Sequence, residues 1–125
     1  MLAQRRKIML VEDDAPLREI LQVLLQDYPH QFLFAESGSQ ALAVAASEQP
    51  ELIVVDLGLP DMNGLELGRR LRERDSKCRL IAFTGYDREE FREQARQAGF
   101  DAFYLKPMEL DAMERTFAEI FSALG

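Results

Sequence analysis

Five times along this 125-residue chain, a short run of apolar, largely β-favouring residues gives way to a helical pattern in which apolar residues recur at three- and four-residue steps. The runs are Lys7–Val11, 32–35, Leu52–Val55, 80–83 and Ala102–Leu105. Strand then helix, repeated this way, predicts parallel strands joined by crossover helices. Leu52-Ile53-Val54-Val55 is apolar at every position, as a strand must be when both sheet faces are covered. The expected fold is therefore α/β, a parallel sheet with helices on both sides.

Local signals punctuate this pattern. Asp14 before Ala15-Pro16 reads as a helix N-cap, and Leu17, Ile20, Leu21, Leu24, Leu25 and Tyr28 carry that helix to Pro29. Ser37 with Gln40 three residues on is a capping box. After Pro60 and Gly64 a weaker helical pattern runs through Leu65, Leu67 and Leu71, interrupted by Gly68. Asp87 is expected to cap the next helix, with Glu90 three residues on and Gly99 as its stop. Leu110, Met113, Phe117, Ile120, Phe121 and Leu124 form the apolar face of the last one. The whole length is expected to be one domain, residues 1–125 with a core at about 7–124, without a second (output) domain.

Composition narrows the function. Against 22 acidic residues stand 15 basic ones, a formal charge of −7, which argues against direct contact with nucleic acid or an anionic membrane. The single Cys78 excludes a disulfide framework and a thiolate zinc site, and reads as core packing. No apolar stretch approaches the ~20 residues a membrane span needs, and the first residues lack a signal-peptide pattern. A cytoplasmic, reducing setting is the expectation. His30, after Pro29, reads as a solvated loop residue, and Arg69, Arg70, Arg72 and Arg74 as a solvated helix face.

In an open parallel sheet, ligands bind outside the carboxyl ends of the strands. The first strand delivers Glu12, Asp13 and Asp14 there, the third Asp56, the fourth Thr84 and the fifth Lys106. Two carboxylates ~4 Å apart repel by roughly 4 kcal/mol at an effective dielectric of 20, so gathering Glu12, Asp13 and Asp56 calls for a cation. All-oxygen ligation without His or Cys selects Mg²⁺, with Mn²⁺ or Ca²⁺ as alternatives. Mg²⁺ typically takes one or two carboxylates plus a phosphate oxygen, which points to phosphoryl transfer. Asp56, at the end of a wholly apolar strand, is the candidate nucleophile. Lys106 and Thr84 would then neutralise and hydrogen-bond phosphoryl oxygens.

At these residues the chain resembles the receiver domain of two-component response regulators. Residues 11–16, Val-Glu-Asp-Asp-Ala-Pro, are similar to the family's acidic pair and first-helix start, and residues 55–64, Val-Asp-Leu-Gly-Leu-Pro-Asp-Met-Asn-Gly, to its phosphoacceptor strand and loop. Phe83-Thr84-Gly85 resembles the switch-threonine segment and Leu105-Lys106-Pro107 the lysine–proline segment, so the likeness covers about residues 7–124. It implies a flavodoxin-like, CheY-like (βα)5 fold with strand order 2-1-3-4-5. It implies Asp56 as phosphoacceptor, with Lys106 and Thr84 as its catalytic companions. Mg²⁺ would be held by Asp13, Asp56, the Gly58 backbone carbonyl and, through water, Glu12. Thr84 and Phe103 would form the switch, although Phe103 reads equally as a core aromatic, and the Lys106–Pro107 bond would be cis. The implied partners are a sensor histidine kinase or histidine phosphotransfer protein and a downstream protein target. The face to be switched is that of the fourth helix, fifth strand and last helix.

Three positions depart from the family's habits. Phe103 stands where tyrosine is frequent, with Tyr104 expected on the opposite sheet face; Gly85 follows the threonine where alanine is common. Gly58 and Tyr86 occupy positions that tune phosphoryl lifetime in this family. Two arrangements are open, a free-standing regulator or a receiver cut from a hybrid sensor kinase, since Thr84-Gly85-Tyr86 and Ala98-Gly99-Phe100-Asp101 resemble receivers attached to such kinases. A competing enzyme reading, an Mg²⁺-dependent aspartate-nucleophile phosphohydrolase, needs a second Asp two residues after the nucleophile, where Gly58 stands.

Overall fold

Ten elements alternate along the chain in the computed structural model, which describes residues 5–85 and 89–124. They are β1 (Lys7–Val11), α1 (Ala15–Leu24), β2 (Gln31–Ala35), α2 (Gly38–Glu48), β3 (Leu52–Val55), α3 (Gly64–Arg74), β4 (Arg79–Thr84), α4 (Glu89–Ala98), β5 (Ala102–Leu105) and α5 (Leu110–Ser122). All strand pairs are parallel and the sheet order is β2-β1-β3-β4-β5, as the resemblance implied. The period-2 alternation of the strands divides the interior in two. Met9, Val11, Ile53 and Val55 face α2, α3 and α4, whereas Ile8, Leu10, Leu52 and Val54 face α1 and α5. This is why β3 tolerates no polar residue along its length.

The caps act where the sequence placed them. The Asp14 carboxylate accepts from the Leu17 N–H at 3.2 Å and Ser37 Oγ from the Gln40 N–H at 3.2 Å. The Gln40 side chain reaches back one residue further than a capping box requires, to the Glu36 N–H. Gly99, at φ +107°, ends α4 in a backbone conformation that favours glycine. Asp87 and Tyr86 lie outside the described residues. Cys78 is buried, and burial pushes its thiol above the usual range.

Three expectations are corrected. α1 stops at Leu24, not before Pro29, because the Gln26 and Tyr28 N–H groups turn to carbonyls three residues back, tightening the chain before the proline. Tyr28 still packs edge-on against Phe121, their ring centroids 4.8 Å apart. His30 is not a solvated loop residue: its Nδ1 accepts the Arg6 N–H at 3.1 Å and its ring lies against Phe32 and Phe121. Burial, then the Arg6 charge, lowers its pKa below that of a free histidine. Arg72 is half-buried, while Arg69 and Arg70 stay exposed on Glu66. Its guanidinium bonds the carbonyls of Gly99 and Cys78 and the Asp101 carboxylate, fastening the α3–β4 and α4–β5 connections together.

Gly68 on α3 lets Phe100 pack against the helix backbone; a Cβ there would come within 2.3 Å of the ring. Gly68→Ala is expected to lower stability by about 1–3 kcal/mol in urea unfolding, overpacking outweighing better helix propensity. Gly85→Ala, where nothing lies within 4 Å, should stay within about 0.5 kcal/mol of the parent.

Candidate functional site

The ladder hydrogen bonds continue one residue past three strand ends, and this levels the functional side chains. The Glu12 N–H donates to Ala35 O at 2.9 Å, the Asp56 N–H to Val11 O at 3.0 Å, and the Lys106 N–H to Thr84 O at 2.8 Å. Glu12 and Asp56 therefore stand side by side at the carboxyl ends of β1 and β3, where the strand order reverses. Lys106 reaches in from beyond β5. Its Nζ lies 2.6 Å from Glu12 Oε1 and 3.0 Å from Asp56 Oδ2. The other oxygen of Asp56, Oδ1, accepts the Gly58 N–H at 3.0 Å.

Glu12 and Asp56 are buried, 3% and 8% exposed, whereas Asp13 opens to solvent. One oxygen from each of the three acids lies within 4.8 Å of the others. Three carboxylates facing one ammonium leave the cluster short of positive charge. Burial, opposed by Lys106 and reinforced by the Asp56 charge, pushes Glu12 up to about 7. Burial alone would lower the Lys106 ammonium, but Glu12 and Asp56 outweigh it and hold the pKa above the ordinary lysine value. The donor set is all oxygen and open on the Asp13 side, which suits a hard divalent cation.

Thr84 is fully buried at the end of β4. Phe103 is half-buried and packs on the α2–α4 side of the sheet, with the Arg92 guanidinium carbon 4.7 Å from its ring centroid. Tyr104 points to the opposite face, as the strand period predicted. The Lys106–Pro107 bond is not cis, since no cis peptide occurs among the described residues. The trans form is favoured by about 0.5–1 kcal/mol in any X–Pro bond, and it already lets Nζ reach both carboxylates. Gly58 is exposed, with room for a Cβ 3.8 Å from Asp56 Oδ1, and it contributes no carboxyl group of the kind a phosphohydrolase would need.

One contributor escaped the sequence reading. Arg18, on α1, donates from Nη1 to the Glu12 carbonyl at 2.8 Å and from Nη2 to Glu36 at 3.3 Å, fixing the backbone of the acidic pair. Its position one turn inside a helix that starts at an acid cluster was the available signal.

The response regulator receiver domain family matches residues 8–118. This chain is a response regulator receiver domain. The receiver is 29% identical over 105 residues to sporulation initiation phosphotransferase F of Bacillus subtilis, covering 84% of this chain and 85% of that one. It is 34% identical over 105 residues to the transcriptional regulatory protein PhoP of Escherichia coli K12, covering 84% of this chain but 47% of that longer protein. Among solved structures, a CheY-like response regulator receiver domain protein from Methanospirillum hungatei superposes with a TM-score of 0.83 at 25% identity, over 96% of each chain. Neither relative is named as a sensor kinase, and the hybrid-kinase arrangement gains no support from them. Receiver domains are signalling domains, generally not enzymes; they typically bind Mg²⁺ at an acidic cluster such as this one and interact with histidine kinases or phosphotransfer proteins. No described helix is long and apolar enough to cross a membrane.

The raised Glu12 pKa gives a signed expectation for the metal-free receiver. A carboxyl whose folded pKa lies above its unfolded value stabilises most at low pH, and the contribution fades as pH rises through about 7. In EDTA, the melting temperature of the parent should therefore fall relative to that of Glu12→Gln between pH 5 and 8. Parallel curves for the two proteins would contradict it.

Proposed function

We propose that this receiver takes a phosphoryl group from a phosphohistidine on a partner protein onto Asp56, with Mg²⁺, and that the new charge resets Thr84 and Phe103. The observation that carries this reading is the setting of Asp56: one oxygen on the Lys106 ammonium, the other on the Gly58 N–H, beside the acidic pair. Asp13 and Asp56, with the Gly58 carbonyl and Glu12 through water, would hold the cation, which supplies charge neutralisation to the transferring group. An Asp56 carboxylate oxygen attacks phosphorus, a P–O bond forms, the P–N bond breaks, and the imidazole nitrogen leaves with the electron pair and is protonated. Lys106 is placed to exchange carboxylate contacts for a phosphoryl oxygen. The domain's only catalysis is then of its own phosphorylation and dephosphorylation.

Thr84 stands ready to follow the phosphoryl group, and Phe103 to repack beneath Arg92 on the α4–β5–α5 face, where a downstream protein reads the change. With Phe at 103, the rearrangement works through packing and the Arg92 contact, not through a phenolic hydroxyl. The phosphodonor docks on a different surface. Ile20 and Val23 of α1 and Leu110 of α5 are 41%, 64% and 60% exposed. They line one groove, edged by Glu19, Asp27 and Glu114, between the two helices that follow Asp13 and Lys106. An apolar strip with an acidic edge fits a helical donor with a basic edge.

Incubation with Mg²⁺ and acetyl phosphate should add one hydroxylamine-labile phosphoryl group, seen by intact mass. Asp56→Asn and EDTA should each abolish it, and Lys106→Met should slow it on the order of a hundredfold. An adduct that survives Asp56→Asn would refute the assignment. Val23→Glu should slow transfer from a phosphohistidine protein by about tenfold while leaving acetyl phosphate labelling unchanged; equal rates from both donors would remove the docking surface.

A further inference from the structure

The loop that follows the acceptor is fastened to a helix that takes no part in the chemistry. Asp61, exposed in the β3–α3 loop, accepts the Gly38 N–H on Oδ1 at 2.8 Å and the Ser39 N–H on Oδ2 at 3.0 Å. These are the first two amides of α2, which no carbonyl within the helix can satisfy. Ser37 Oγ takes the next, that of Gln40, so α2 draws its capping partly from its own sequence and partly from another segment. Met62 closes on the same place. A Cβ on Gly38 would lie 2.4 Å from Met62 Cγ, so any larger residue there would push the Met62 side chain from its seat. At its far end the loop is held by the Gly64 N–H on Leu57 O at 3.2 Å. Gly58, whose N–H holds Asp56 Oδ1, lies in the stretch between Leu57 and Asp61, the loop's two points of attachment.

Resting on the reading of Asp56 as phosphoacceptor, we infer that Asp61 is a positioning residue for it: by clasping the start of α2 it fixes the loop that aims the Gly58 amide, and the Gly58 carbonyl, at the reacting carboxylate. Asp61 touches neither Asp56 nor a phosphoryl group. Its effect passes through Gly58. An ordinary helix cap would act on α2 alone, and this separates the two roles.

The experiment compares amide–water exchange by NMR, residue by residue, in the full metal-free chain and its Asp61 variants, followed by titration with Mg²⁺ alone. In Asp61→Ala the Gly58 amide should exchange about fivefold faster, the worth of one lost cap, while Val54 and Val55 of β3 stay unchanged. The Mg²⁺ dissociation constant should weaken by a similar factor. Asp61→Asn, which keeps one acceptor oxygen, should recover most of both effects. Ser39→Pro deletes one of the two donors at a first-turn position that tolerates proline; it should move Gly58 in the same direction and decides the matter if Asp61→Ala fails to fold. Faster exchange at Gly38 and Ser39 with Gly58 unchanged would overturn the inference and leave Asp61 a helix cap. Should the parent chain accept no phosphoryl group, the functional reading fails, yet the exchange result still judges the link from Asp61 to Gly58.

Discussion

Two buried carboxylates share one ammonium in this domain, and the rest of the rim is arranged around that bargain between burial and charge. Glu12 and Asp56 could not be taken out of water side by side without Lys106, whose own burial is tolerable only because both acids face it. The parallel sheet makes the arrangement possible. Neighbouring strands all end at one rim, so residues at positions 12, 56 and 106 converge although 94 residues separate the first from the last. An antiparallel sheet would send alternate strand ends to opposite rims.

Most of this architecture was legible in the chain. The five apolar runs, the all-apolar β3 and the caps at Asp14 and Ser37 are local signals, and locally encoded structure can be read from periodicity and capping chemistry. The rim constellation was legible for a related reason: a polar residue directly after an apolar strand has one place to go. What escaped reading was non-local. Arg72 resembled its exposed neighbours because nothing in sequence places the Gly99 and Cys78 carbonyls within its reach. His30 departs from its local signal because the Arg6 N–H and the Phe121 ring reach it from distant parts of the chain. The early end of α1 reflects carbonyl competition in the last turn, which precedes and outranks the proline signal.

The two sheet faces carry different duties. α1 and α5 present an incompletely covered apolar strip beside the acid pair and the lysine, while α2 and α4 cover the other core with small side chains, Ala41, Ala45, Ala95 and Ala98, and α3 fills it with Leu65, Leu67 and Leu71. Small residues bring helices close to the sheet, and Phe103 sits at the open margin of that tight packing under Arg92.

The adjacent Phe103 and Tyr104 give β5 a property that its hydrophobic content conceals. Both are aromatic and both pack, yet each serves a different core, and Lys106 follows two residues later. Deleting a single residue upstream in β5 would leave both aromatic residues in the strand. It would also exchange the two rings between faces and draw the amine back by roughly 3.3 Å, beyond contact with either acid. A frame of this kind is far less tolerant of insertion and deletion than of substitution, and its sensitivity lies in spacing, not in composition.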